Sequence, residues 1–366
     1  MSSLPLDLIS DILSRLPVKP LLRFRCVSKC FCGLIDSQDF VKLHLNQAIE
    51  TNSGLSLIVP TLTSDNKFFS LELDSVDNPV EIEYPFKKYN RGHTSVIGCC
   101  HGLLAMFNRR LGMSVFNPTT KKFKLFPQFW SDCYTDYMTN NFHFDGFGYD
   151  ASTDDYKLVR IIQSYKVDYL EVIIYSLKAD TWRRTREFPY YILDDRCNGV
   201  FIAGALHWLA ARGSVRTGQN MILAFDLKSE KFYEVQQPHG MKGGFCSQVG
   251  VLRGCLWINS YYHDEPRCDI WVMKEYGSQQ SWSKLCSFSK MLHETCYYTE
   301  AFAFSKDGDK ALIYQHSRCL HWYNLKDHKQ DVIEIRNENQ SFWDAFICMG
   351  SLASIDAYTT VGVDTV

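Results

Sequence analysis

A chain of 366 residues is longer than the ~250–300 at which single cores stop growing, so two domains or one large repetitive domain are expected. With 46% hydrophobic and 22% charged residues and no low-complexity tract, the composition excludes extended disorder. The 39 basic and 41 acidic side chains nearly cancel, and a formal charge of -2 supplies no field to gather nucleic acid or an anionic membrane.

No apolar run approaches the ~18 residues of a spanning helix, and the N-terminus lacks the basic-then-apolar pattern of a secretory signal. The expected compartment is the cytosol or the nucleus. Fourteen cysteines raise the question of metal or disulfides. The closest groups, Cys26, Cys30 and Cys32 and the run Cys99-Cys100-His101, lack the paired CxxC spacing of a zinc site. Buried free thiols in a reducing compartment are the better reading, with no metal and no cofactor.

The chain opens on LPLDLISDILSRLP, helix-like sequence bracketed by Leu4-Pro5 and Leu16-Pro17. Leu8, Ile9, Ile12, Leu13 and Leu16 form one stripe; Leu21, Leu22 and Val27 continue it after breaks at Pro17 and Pro20. Phe31, Leu34 and Ile35 follow an N-cap at Ser28, and a fourth short helix begins at Ser37. A boundary falls at Thr51-Asn52-Ser53-Gly54. A unit this small cannot bury such stripes alone, so Leu8, Ile12 and Leu16 are expected to pack against another chain.

Beyond residue 54 the helical period gives way to short apolar or alternating runs between Gly, Asn, Asp and Lys turns. Six aromatic-centred copies recur, anchored at Phe69, Phe116, Tyr175, Phe225, Trp271 and Tyr323, with spacings of 47, 59, 50, 46 and 52 residues. A four-stranded propeller blade takes ~40–50 residues. In three copies a second aromatic follows seven residues on, at Phe123, Trp182 and Phe232. The glycine-led strands HGLLAMF, GALHWLA and GCLWI are expected to be inner strands, glycine easing a crowded approach to the axis. The first copy has only three strands, whereas WDAFICMGSLASI lies unpaired after the sixth. Residues 344 to 355 are therefore expected to supply the missing strand. The expected class is mainly β with an N-terminal α module: short helices over 1–50, then a six-bladed β-propeller-like domain over 54–358 closed by the C-terminal strand. An open sandwich of the same strands is the competing arrangement.

No catalytic constellation emerges. Ser305 to Lys310 resembles a sialidase turn but occurs once with altered spacing, which suits a hairpin. His207 lies within a predicted strand, and the paired acids fall in turns. What remains is surface: Phe129, Trp130, Tyr134, Tyr137, Tyr190, Tyr191, Tyr297 and Tyr298 lie in long loops, and such residues anchor protein interfaces. They would bind a target protein, or they would fold inward as loop cores. Mixed loop charges favour a protein partner over a polyanion.

Residues 4 to about 45 resemble an F-box, the helical module that attaches substrate receptors to the Skp-type adaptor of cullin-RING ubiquitin ligases; Phe31 stands where the motif most often has Trp. Residues 54 to about 355, with VFNPTTKKFKLFP, FGYDASTDDYKLVRI and VIIYSLKADTWRR, are similar to the F-box-associated, kelch-like domain of a large plant family. The resemblance implies a three-helix F-box whose adaptor-binding residues are Leu4, Pro5, Leu8, Ile9, Ile12, Leu13, Leu16, Pro17, Leu21, Val27 and Phe31. It further implies a non-catalytic SCF-type subunit, linked through the adaptor to cullin and RING subunits, whose propeller holds a target for ubiquitination and degradation.

Overall fold

The computed structural model describes residues 5–61, 67–73, 75–85, 94–129, 141–164, 170–186, 190–193, 198–212, 220–241, 244–262, 267–289, 299–305, 307–315, 319–333 and 345–355. Four helices come first: α1 (Leu6–Ser14), α2 (Val18–Phe24), α3 (Lys29–Ile35) and α4 (Gln38–Thr51). Ser28 and Ser37 cap α3 and α4 as expected, their hydroxyls accepting from the amides of Phe31 and Phe40 at 3.2 Å. Asn52 ends α4 in the left-handed conformation, φ 48°. Pro20 does not break the chain: it lies in the first turn of α2, where the missing N–H has no intrahelical partner to lose.

Six antiparallel sheets follow. The chain divides into two compact units, 1–125 with 344–366, and 126–343. The first unit holds the helices and two sheets. Its first sheet runs Phe346–Met349, Leu55–Pro60, Phe68–Glu72, Ser75–Ile82, so the C-terminal strand completes it, as the unpaired final segment requires. Its second sheet runs Thr94–Cys100, Leu103–Asn108, Gly112–Phe116, Phe123–Leu125. Ile58, Phe68 and Cys348 of the first sheet pack against Val96, Leu104 and Met106 of the second.

The second unit holds four sheets. The third comprises Asn141–Asp150, Asp155–Ser164, Leu170–Ser176 and Thr181–Arg186. In the fourth, Tyr190–Ile192 and Val200–Ile202 both pair with Ala205–Arg212, followed by Asn220–Asp226 and Phe232–Val235. The fifth comprises Gly244–Leu252, Cys255–Tyr262, Arg267–Met273 and Trp282–Ser289, and the sixth Thr299–Phe304, Lys310–Gln315, Cys319–Asn324 and Gln330–Ile333. Consecutive sheets of this unit bury their faces on each other: Val159, Ile161 and Val172 meet Leu206, Trp208 and Leu223, and Ala205 and Ile222 meet Val249 and Leu256. Burial on both faces explains why these strands read as apolar runs rather than clean alternation.

All six anchors lie on the third strand of their sheets. Phe123, Trp182 and Phe232 are their direct partners across the register, Phe116↔Phe123, Tyr175↔Trp182 and Phe225↔Phe232. The glycine-led strands are second in sheet order, and the expected reason for their glycines is corrected. Gly102, Gly204 and Gly254 sit in the preceding hairpin turns at φ 77°, 77° and 69°, so glycine is there for the left-handed turn.

Candidate functional site

The helical module sorts its apolar residues onto two faces. Pro5 precedes α1 with φ -54°, and its carbonyl accepts from the amides of Leu8 and Ile9 at 3.1 and 3.2 Å. A ring at this position costs no hydrogen bond and fixes the entry of the chain. Adjacent residues on a helix point about 100° apart. In the pairs Leu8-Ile9 and Ile12-Leu13, the second member therefore turns inward and the first outward. Leu13 is 5% exposed, in a core with Val18, Leu21, Ile35, Phe40 and Leu352; Ile9, Leu16 and Phe31 pack on its edge. The buried His44 bonds through Nε2 to the Leu16 carbonyl at 2.9 Å, tying α4 to the turn that follows α1.

The outward residues stay in water. Leu6, Leu8 and Ile12 are 58%, 52% and 55% exposed, and Phe24 at the end of α2 and Val27 just beyond it are 40% and 66% exposed. Among the described residues, seven of the thirteen exposed large hydrophobics lie between Leu6 and Ile49. Exposed apolar side chains scattered singly need no explanation, but such a concentration on one small module marks an interaction surface.

The α2 end is held rigidly. Arg25 reaches the Asp36 carboxylate with both Nε and Nη2, at 2.6 and 2.7 Å, clamping it to the end of α3. The same guanidinium, through its hydrogen bonds, lowers the pKa of Asp36, and the pair stays ionised near neutrality. Phe24 and Phe31 lie with ring centroids 6.4 Å apart. Charge here acts as a positioning device more than a source of stability, since both partners are about half exposed.

Of the docking residues expected from sequence, Pro5, Leu8, Ile12, Pro17 and Val27 are exposed, while Ile9, Leu16 and Phe31 are half-buried. Leu13 and Leu21 are a correction: at 5% and 0% exposure they belong to the module's own core and support the face from behind. Leu4 lies outside the described residues. Leu6 and Phe24 are exposed beside them though not among the residues expected from sequence; Phe24 stands three residues before Val27, one helical turn away, which is the available signal.

The loop aromatics give a smaller set. Trp130, Tyr134, Tyr137, Tyr297 and Tyr298 lie outside the described residues. Phe129 is half-buried against the third sheet, 5.6 Å from Trp182 between ring centroids, with the Arg184 guanidinium 5.6 Å from its centroid. Tyr190 and Tyr191 are half-buried and belong to a short strand of the fourth sheet rather than to a loop, with Arg212 5.9 Å from the Tyr190 centroid. Arg184 is ion-paired to Glu171 and Arg212 to Glu234.

Residues singled out as possible chemistry have structural places. His207 is fully buried; its Nδ1 faces the Val200 carbonyl at 3.3 Å and its Nε2 the Tyr276 hydroxyl at 2.6 Å. A carbonyl only accepts, so Nδ1 carries the proton and Tyr276 donates to Nε2. Burial holds its pKa down at about 4. Asp307 and Ser305 close a hairpin turn, the Ser305 hydroxyl donating to Asp307 at 2.5 Å and accepting from the Lys310 amide at 2.9 Å. Among the described residues no group of three His, Cys, Asp or Glu could hold a metal ion, and no helix is long and apolar enough to cross a membrane.

Comparison with known proteins finds two family matches. The F-box domain family matches residues 1–43, and the F-box associated beta propeller domain family matches residues 59–355. The Arabidopsis thaliana F-box protein CPR1 is 32% identical over 365 residues, covering 93% of this chain and 87% of that protein. F-box protein At4g22390 of the same plant is 30% identical across 96% of this chain and 90% of its own length, and F-box/kelch-repeat protein At3g23880 is 32% identical across 78% and 79%. With four N-terminal helices as the F-box and six sheets as the blades of a mainly-β, six-bladed propeller fold, the chain belongs to the plant F-box proteins that carry an F-box associated beta propeller domain.

Proposed function

We propose that this protein is the substrate-recognition subunit of an SCF-type ubiquitin ligase. The helical module docks the Skp-type adaptor and, through it, the cullin and RING subunits, while the propeller holds a target protein for ubiquitination and proteasomal degradation. The observation that carries this reading is the exposed apolar face of α1, Leu8 and Ile12 above all, on a module matching the F-box family. Burying the exposed half of two such side chains contributes about 1 kcal/mol each, and these would sit at the centre of a larger contact. The chain itself transfers nothing in this scheme. It raises the local concentration of target lysines at chemistry performed by another subunit, in the cytosol or the nucleus.

A second reading draws on one packing feature. Leu352 enters the helical core, so the helices could serve only to cap the first sheets of an interaction scaffold. That reading leaves Leu8 and Ile12 exposed to no purpose. Replacing both (Leu8→Asp with Ile12→Asp) separates the two: the receptor reading expects adaptor co-purification to disappear from a chain with unchanged circular dichroism. Undiminished adaptor recovery by that variant would refute it.

A further inference from the structure

The last described stretch of the chain, residues 350–355, lies between the helical module and the second sheet, within the first unit. Gly350 donates its amide to the Gly54 carbonyl at 2.9 Å, just after α4, and stands against Val18 of α2, whose Cγ2 lies 3.5 Å from where a Cβ would be. Leu352, 9% exposed, completes the core formed by Leu13, Val18, Leu21, Ile35 and Phe40. On the other side, the Asn117 side-chain amide donates to the carbonyls of Ser351 and Ala353 at 3.1 and 2.9 Å. The Ser351 amide reaches Thr119 Oγ1 at 3.4 Å.

Comparison among the sheets shows that this seat is specific. Gly102, Gly204 and Gly254 occupy equivalent hairpin turns with positive φ. A Cβ on Gly204 or Gly254 would meet nothing within 4 Å, whereas on Gly102 it would stand 2.3 Å from Ser351 Cβ and 2.5 Å from the Met349 carbonyl oxygen. Asn117 is likewise doubly used. Its Oδ1 accepts from the amides of Thr119 and Thr120, closing its own turn, while Nδ2 is spent on the C-terminal segment.

We infer that residues 350–353 are a clamp that positions the helical module, and that Leu352 is a positioning residue for the adaptor face on α1. The F-box is then not an autonomous unit. Its core lacks one wall until the far end of the chain has paired Phe346–Met349 into the first sheet, so the adaptor face forms only on a chain whose C-terminal strand is in place. This inference rests on the receptor reading for its functional consequence, but its structural content does not.

The test uses the full chain. Adaptor affinity is measured by calorimetry with a purified Skp-type adaptor, and amide hydrogen exchange is followed over α1–α4 in the free protein. Leu352→Asp is expected to weaken adaptor binding at least tenfold and to speed exchange across α1–α4, while Leu352→Met restores both. Ile313→Ala, in the core of the second unit, controls for general destabilisation: it should lower Tm and leave adaptor affinity within twofold. If Leu352→Asp fails to fold, Asn117→Asp replaces it. That change keeps the acceptor that closes the turn and removes the donor to Ser351 and Ala353, and it should likewise speed exchange in α1–α4. Wild-type exchange over α1–α4 in Leu352→Asp, or in Asn117→Asp, overturns the inference. Failure of the wild-type chain to bind the adaptor would defeat the receptor reading alone, since the exchange comparison still decides the clamp.

Discussion

Removing Lys157 should be among the most damaging single changes in the second unit. Its ammonium joins the third sheet to the fourth, donating to Asp150 Oδ2 at 2.8 Å, to the Leu227 carbonyl at 2.7 Å and to Glu230 Oε1 at 3.1 Å. The Lys157 and Asp150 side chains are 9% and 2% exposed. Burial pushes the Asp150 pKa up, but hydrogen bonds from Lys157, Ser152 and Thr153 outweigh it and hold the carboxyl well below the ordinary range. Breaking a buried pair costs about 3–5 kcal/mol because one charge is left uncompensated. Asp150 keeps the Ser152 and Thr153 donors, so Lys157→Ala should cost about 3 kcal/mol, near the lower end of that range. With a urea m-value of about 2–3 kcal/mol/M, the midpoint falls by about 1 M. The sign with pH follows from the depressed pKa: the contribution is complete above the unfolded carboxylate's pKa, ~3.9, and is lost as pH falls further. The deficit of Lys157→Ala should therefore be largest near pH 7 and shrink towards pH 3. Adding Asp150→Asn should recover part of it. A midpoint within 0.2 M of wild type at pH 7, to take a rough resolution limit for such titrations, would refute the clamp between these sheets.

Two further outcomes are expected. A Cβ at Gly199 would lie 2.3 Å from Trp208 Cε2, and Trp208 is fully buried, so Gly199→Ala should destabilise by about 1–3 kcal/mol through overpacking; an unchanged urea midpoint would contradict this. His207 is neutral when folded, with a pKa of about 4 against 6.5 unfolded. Its contribution is complete above pH 6.5 and is lost as pH falls from there towards 4, an effect of about 3 kcal/mol by linkage. His207→Phe should flatten the pH profile of unfolding free energy over that interval, and parallel profiles for the variant and wild type would show that His207 does not titrate as described.

Much of this organisation is legible in the sequence because propeller strands repeat a local pattern. An aromatic on the third strand and another seven residues later are bridged by a tight turn, and Tyr175 with Trp182 or Phe225 with Phe232 are therefore both periodic in sequence and opposite in register. The lone strand after the sixth copy declares itself because the first copy is one short. What the pattern does not carry is depth. The apolar stripe of α1 covers too wide an arc to say which members face the module's core, and that division depends on Leu352, more than 300 residues away in sequence. Gly102 likewise reads as one of three similar turn glycines, and only the packed chain shows that it also leaves room for Ser351. The role of Pro20 turns on where α2 begins, a boundary set by packing as much as by local sequence.

The receptor account is tested most directly by the hydrogen-exchange footprint of a purified Skp-type adaptor on the 366-residue chain. Slowed exchange centred on α1 and the segment from Phe24 to Val27, with the four sheets of the second unit unchanged, is the predicted result. Saturating adaptor that leaves α1 exchanging at its free rate would contradict it.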